Sequence, residues 1–192
     1  RPALPRIPKD HHNSMNEITE PSNIKPKGSS ARPLPRYLVE VKLKSDFSDA
    51  DGVAALALLN GAGLNTAHQV RVSQIYDIRG PLNQGHIHMA ARDLLCDGVT
   101  QEFKLLSPMT PSPNGMNHWR VEVWLKPAVT DAVGDTVRDG LIELGLPSPT
   151  SVRCAAAYHI TGKCGRNQLE KVVLRTLANP VIHTVVFLEE HA

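Results

Sequence analysis

The sequence predicts an α+β fold built from two tandem βαβαβ units, with antiparallel sheets, helices on one face and the two units pairing as an intramolecular pseudo-dimer. Three observations predict it. The stretch "RYLVEVKLKSDFSDADG" from Arg36 to Gly52 returns 82 residues later as "HWRVEVWLKPAVTDAVG" from His118 to Gly134. The alignment then runs without a gap from Tyr37 through Leu106, with about 19 of 70 positions identical. Finally, the hydrophobic period switches between 2 and 3.6 in the same order in both copies. Two periods are too few for a solenoid, which needs at least three repeats, so the chain is a duplicated domain.

Each copy reads as strand, helix, strand, helix, strand. Val39, Val41 and Leu43 alternate with Glu40, Lys42 and Lys44, the pattern of a half-buried strand with its polar side in solvent. Val121-Glu122-Val123 and Leu125-Lys126 repeat it. Ser48 or Asp49 is placed to cap the first helix, and Gly63 sits where a left-handed residue ends one. In the second copy that helix puts Val133, Val137, Leu141 and Leu144 on one face, and Gly145 closes it. The middle strand spans 69–79 or 151–161 and ends at Gly80 or Gly162. Ile87, Ala90, Ala91, Leu94 and Leu95 form the apolar stripe of the second helix, which Leu169, Val172, Val173, Thr176 and Leu177 repeat. Asn179-Pro180 stops that helix, and 181–188 forms the last strand. A unit of this size buries only a thin core, so pairing with its twin, edge to edge or face to face, gives the duplication a physical purpose.

The predicted domains are a proline-rich tail or linker at 1–36, repeat 1 at 37–107, a linker at 108–117 and repeat 2 at 118–190. The tail holds seven of fifteen prolines and little that could form a core. The chain opens on Arg1, which suggests a fragment, a processed form or an upstream misread with Met15 as the start. The tail carries seven Lys/Arg against three Asp/Glu, leaving fourteen against sixteen for the rest. A slightly acidic body argues against a nucleic-acid platform. No apolar run has the ~20 residues of a membrane span, and three cysteines without a framework spacing suit a reducing, cytoplasmic setting.

The residues offer little chemistry. His86 and His88 diverge at a helix start, and Cys154 and Cys164 lack a metal or redox spacing. "GKCGRNQ" at 162–168 leads basic residues into a helix N-terminus, where an ordinary turn is favoured over an anion site. Asp49 and Asp51 suit helix capping better than acid–base work. No nucleophile and base recur in both copies, so no catalytic, cofactor or metal residue is assigned. Arg71/Arg153 and Tyr76/Tyr158 do recur, on the middle strand, either as sheet-surface residues or as interface anchors.

The strings "VEVWLKPAVTDAVGDTV", "VR" at 152–153 and "LANPVIHTVVFLE" at 177–189 resemble the PurS family, small non-catalytic subunits of phosphoribosylformylglycinamidine synthase in purine biosynthesis. Repeat 1 is similar more loosely, through "DADG" and "LLCDGVTQEFKL". The sequence departs from the family pattern where Ala50 and Ala132 replace a proline, and where Ser73-Gln74 and Ala155-Ala156 replace a Gly-Lys. The resemblance implies a small-subunit dimer that bridges glutaminase and synthetase and helps shape an ammonia path, here fused into one chain. It is similar also to the N-terminal domain of the single-chain synthetase, so a free-standing subunit and a piece of a longer enzyme are both open. It implies a glutamine- and ATP-dependent C–N ligase whose ATP and magnesium sit on the synthetase partner, with no cofactor in this chain. Candidate interface residues are Arg71, Tyr76, Arg153, Tyr158, Asn179 and Pro180. An amino-acid-sensing pair of α+β modules is the alternative, and a stand-alone enzyme is the weakest reading.

Overall fold

A computed structural model describes residues 33–106 and 118–190. The expected linker at 108–117, and all of the expected tail before residue 33, lie outside the described residues. Repeat 1 comprises β1 (Arg36–Leu43), α1 (Ala50–Gly61), β2 (Ala67–Arg79), α2 (Gln84–Ala90, continued by a π-helical turn at Ala91–Leu95) and β3 (Gln101–Leu106). Repeat 2 comprises β4 (His118–Leu125), α3 (Ala132–Glu143), β5 (Ser151–Gly162), α4 (Arg166–Thr176) and β6 (His183–Glu190).

The six strands form one sheet in the order β3-β1-β2-β5-β4-β6, antiparallel throughout. The two repeats join edge to edge, because β2 and β5 are the longest strands and pair along nearly their whole length. Gln74 lies opposite Ala156. These residues match each other in the 82-residue offset, so an approximate two-fold axis passes through that pair.

Paired residues in an antiparallel ladder point to the same side of the sheet. One side carries Val39, Val41, Val70, Ile78, Val121, Val152 and Ile160, all buried beneath the helices. The helices pack in crossed pairs: α1 of repeat 1 with α4 of repeat 2, and α3 of repeat 2 with the end of α2 from repeat 1. Two cores result, one under α1 and α4 around Leu59, Leu64, Trp119 and Leu169, the other under α2 and α3 around Ile78, Ile87, Val137 and Leu141. Each core therefore draws on both repeats. Each fully buried leucine or isoleucine contributes roughly 2 kcal/mol by transfer from water, so separating the repeats would expose part of both cores at once.

Glycine lets the first helices sit this close to the strands. A Cβ on Gly52 would stand 2.3 Å from the Val70 carbonyl oxygen, and one on Gly134 would stand 2.6 Å from that of Val152. Gly80 and Gly162, both in the positive-φ region, do the same at the two ends of the seam. Gly80 abuts Pro149 and Thr150, and Gly162 abuts Thr66 and Ala67 of the other repeat.

Several expectations shift. Arg36, placed in the tail by sequence, is the first residue of β1 and pairs with Arg79. Val133 is exposed instead of joining the α3 stripe, because Gly134 is the residue turned onto β5. Leu94 is partly exposed, since the π-helical turn changes which residues face inward. It packs instead against α3, where a Cβ on Gly140 would lie only 3.0 Å from it. The last strand starts at His183 instead of residue 181, because the Asn179 turn occupies Val181 and Ile182.

Glu40 and Glu122 depart most from expectation. Period-2 alternation puts them on the solvent side, and they do lie on the helix-free side. They are nevertheless buried, at 6% and 8% exposure, beside buried Ser73, Asp77, Ile75, Ala155 and Ala157.

Candidate functional site

Repeated side chains fasten the loops of each unit. Asp49 caps α1 through one carboxylate oxygen, which accepts the Gly52 amide at 2.8 Å, while the other accepts the Val72 amide of β2 at 2.7 Å. Asp131 does the same for Gly134 and Cys154, at 2.8 and 2.7 Å. The strand amide is available because the β1 ladder on β2 ends at Ser73. One carboxylate thus satisfies two otherwise orphaned donors, and that is why aspartate stands at both helix starts.

Arg71 donates to the carbonyls of Leu43 and Lys44 at 2.9 and 3.2 Å and lies 3.6 Å from Asp49. Arg153 donates to the Leu125 carbonyl, and its guanidinium lies 5.6 Å over the Trp124 ring. Both arginines therefore gather the end of a first strand onto a middle strand. Tyr76 and Tyr158 lie on the helix side, half-buried against the two cores, and burial raises both phenols above their ordinary value.

Asn179 accepts the Val181 amide on its side-chain oxygen at 3.0 Å, and Lys126 donates to the Pro180 carbonyl at 2.6 Å. In repeat 1, Asp97 accepts the Val99 amide at 2.9 Å, and Lys44 reaches the carbonyls of Gly98 and Val99 at 2.6 and 2.9 Å. Both turns are braced from two sides, and each presents one valine outward: Val99 is 74% exposed and Val181 75%. Even the core bonds repeat, since Tyr37 and Trp119 donate to the carbonyls of Leu82 and Cys164.

The polar cluster on the helix-free side was hidden from sequence. Glu40 accepts from Ser73 at 2.7 Å and lies 2.6 Å from His159 Nε2. Ser73 is also 3.0 Å from the same Nε2. A Ser–His–acid relay needs the hydroxyl and the carboxylate on opposite ring nitrogens. Here both meet one nitrogen, and the serine proton goes to the carboxylate, so the trio is a structural knot and not a nucleophile with its base. Burial opposes the charge on Glu40, but His159, Ser73 and Arg120 outweigh it and hold the carboxyl down to about 2. Glu122 is held differently, by Arg120 at 2.6 Å and the Trp124 indole at 2.9 Å. Asp77, 2% exposed, is pinned by Arg36 and Arg79. The one signal in the sequence was the recurrence of Glu at 40 and 122, which alternation alone assigns to solvent.

The other candidates resolve as structure. His86 forms a capping box with Asn83, and His88 packs edge-on against Phe103. Burial and the nearby Asp131 push the Cys154 thiol up to about 12, so it stays protonated. Gly165 caps α4 without a side-chain bond, while Gln168 reaches across to the Gly63 carbonyl at 3.0 Å. Among the described residues no group of three or more His, Cys, Asp or Glu could hold a metal. No described helix is long and apolar enough to cross a membrane.

The geometry defines a class: an α+β protein of two matching units whose shared polar residues fasten the loops of each. The comparisons give its family. Residues 118–190 match the profile described as PurS, phosphoribosylformylglycinamidine (FGAM) synthase. A relative named phosphoribosylformylglycinamidine synthase subunit PurS, from Synechocystis sp. (strain ATCC 27184 / PCC 6803 / Kazusa), is 33% identical over 86 residues. That stretch covers 42% of this chain and 86% of the relative. The chain belongs to the PurS family.

Proposed function

We propose that this chain is the assembly component of phosphoribosylformylglycinamidine synthase, with one chain serving as both copies of the small subunit. The β2–β5 seam carries this reading. The relative has roughly 100 residues, since 86 aligned residues are 86% of it, and a single unit of that size spans half of this sheet. On this reading, β2 and β5 pair two such units within one chain as the small-subunit dimer would.

In this reading the chain bridges glutaminase and synthetase and helps to form the path for ammonia between them. The synthetase uses ATP and magnesium to convert formylglycinamide ribonucleotide to the amidine, with glutamine as the nitrogen source. In this reading the chain contributes position and not chemistry. Asn179 and Pro180 contribute to a partner contact by shaping the turn that exposes Val181, and Val99 is its counterpart at the other end of the pseudo-dimer.

Reconstitution tests the proposal. The chain is mixed with a bacterial synthetase subunit and glutaminase that lack their own small subunit, and glutamine-dependent and ammonia-dependent turnover are compared. Glutamine-dependent activity that appears only with the chain, together with co-elution of all three, is the expected result. Normal ammonia-dependent turnover with neither binding nor coupling would overturn it.

A further inference from the structure

The seam is not charge-symmetric, and the asymmetry has a direction. Glu40 of repeat 1 reaches diagonally across β2 to His159 on β5. The two-fold-related position in repeat 2 is Glu122, and the residue matching His159 is Asp77. So one diagonal pairs a carboxylate with an imidazole, and the other sets a carboxylate toward a carboxylate. The second is tolerable because each acid has its own partners: Arg120 and Trp124 hold Glu122, while Arg36 and Arg79 hold Asp77.

In repeat 1 the cations near such a contact are engaged elsewhere: Arg71, opposite the His159 position, is bound to the Leu43 and Lys44 carbonyls and lies beside Asp49. Where repeat 2 has Arg120 and Trp124, repeat 1 has Leu38 and Lys42, and the Lys42 ammonium is paired with Glu102 at 3.3 Å. Lys104 lies opposite Glu40 on β3, on the far side from the seam. If β2 paired in the same register with β2 of a second chain, Glu40 would meet Asp77 of that chain at both diagonals. A buried carboxylate stripped of its partner is among the costliest arrangements in a protein interior.

We propose that the Glu40–Ser73–His159 cluster makes the β2 edge selective: it fits β5 of this chain's second repeat and rejects the first repeat of another copy. The inference rests on the seam itself and stands or falls independently of the assembly role. Two similar units in one chain could otherwise pair between chains as well as within them. A carboxylate–imidazole contact present in only one combination separates the two outcomes.

Variants at His159 are compared in the full chain on an Arg120→Leu background, because Arg120 lies opposite His159 on β4 and repeat 1 has Leu38 there; on that background His159→Asp sets against Glu40 the carboxylate that self-pairing of repeat 1 would bring. His159→Asn is the control for lost packing and hydrogen bonding. The expected result is a thermal midpoint for His159→Asp at least about 5 °C below that of His159→Asn at neutral pH, with most of the gap removed by adding Glu40→Gln. If His159→Asp does not fold, folding of the Glu40→Gln/His159→Asp double variant gives the same support. Equal midpoints for Asp and Asn, or a double variant no better than His159→Asp, would overturn the proposal, since an acid at that place would then be no obstacle.

Discussion

On the helix-free side, repeat 1 carries Leu38, Lys42, Ser73 and Lys104, where repeat 2 carries Arg120, Trp124, Ala155 and Val186. Beneath the helices and in the loops, the same comparison finds Asp49 and Asp131, Gly52 and Gly134, Arg71 and Arg153, and Lys44 and Lys126, in matching roles. The identities cluster where a backbone group must be satisfied or a close approach allowed. The changes of charge and polarity just named lie on the face that carries no helix. Local geometry tolerates no substitute for a glycine against a carbonyl, whereas a sheet surface accepts any set of side chains that settles its own charges.

The largest effects should come from the shared glycines. Gly52→Ala and Gly134→Ala each force backbone apart, at a cost of about 3 kcal/mol. Gly52 should be the worse of the two because its approach is closer, 2.3 against 2.6 Å. Urea unfolding of the two variants would check it, and equal, mild losses would break the picture of helices seated directly on strand backbone.

Next come the caps. Asp49→Ala and Asp131→Ala should each cost about 2 kcal/mol, near the upper end for a helix cap because two amides lose their acceptor. Similar losses would support equivalence of the two repeats, while a loss at only one site would show that the other loop is held by something else.

The comparison sharpens at acid pH. The Glu40 carboxyl, ordinarily near 4.5, lies at about 2 in the folded chain. A depressed value means that its stabilisation is fully present above 4.5 and is lost as pH falls toward 2. Glu40→Gln should therefore flatten the dependence of the thermal midpoint on pH between 4.5 and 2. An unchanged slope would sever the link between that dependence and this cluster.

Smallest are the braced turns. Val99→Ser and Val181→Ser should change stability by less than about 0.5 kcal/mol, because both side chains already stand in water. In the reconstituted complex, however, they should weaken glutamine-dependent turnover more than ammonia-dependent turnover. A fall in both together would remove these valines from the partner surface.

Much of this architecture was legible in residues alone. The 82-residue offset exposed the duplication, and hydrophobic period gave all ten elements in order. A cap at Ser48 or Asp49, and Gly63 and Gly145 as helix ends, followed from side-chain chemistry acting within a few residues. Such features are local: a cap reads its own first turn, and a strand's alternation reads its own pleat. What the tertiary structure decided lies at long range. It chose edge-to-edge pairing through β2 and β5, crossed α1 with α4 and α3 with α2, and buried Glu40. Alternation puts a glutamate on the polar side of its strand, and that much was right. Whether such a carboxylate meets water or a partner depends on which strand arrives beside it, and the group that answers Glu40 is His159, 119 residues away in the chain.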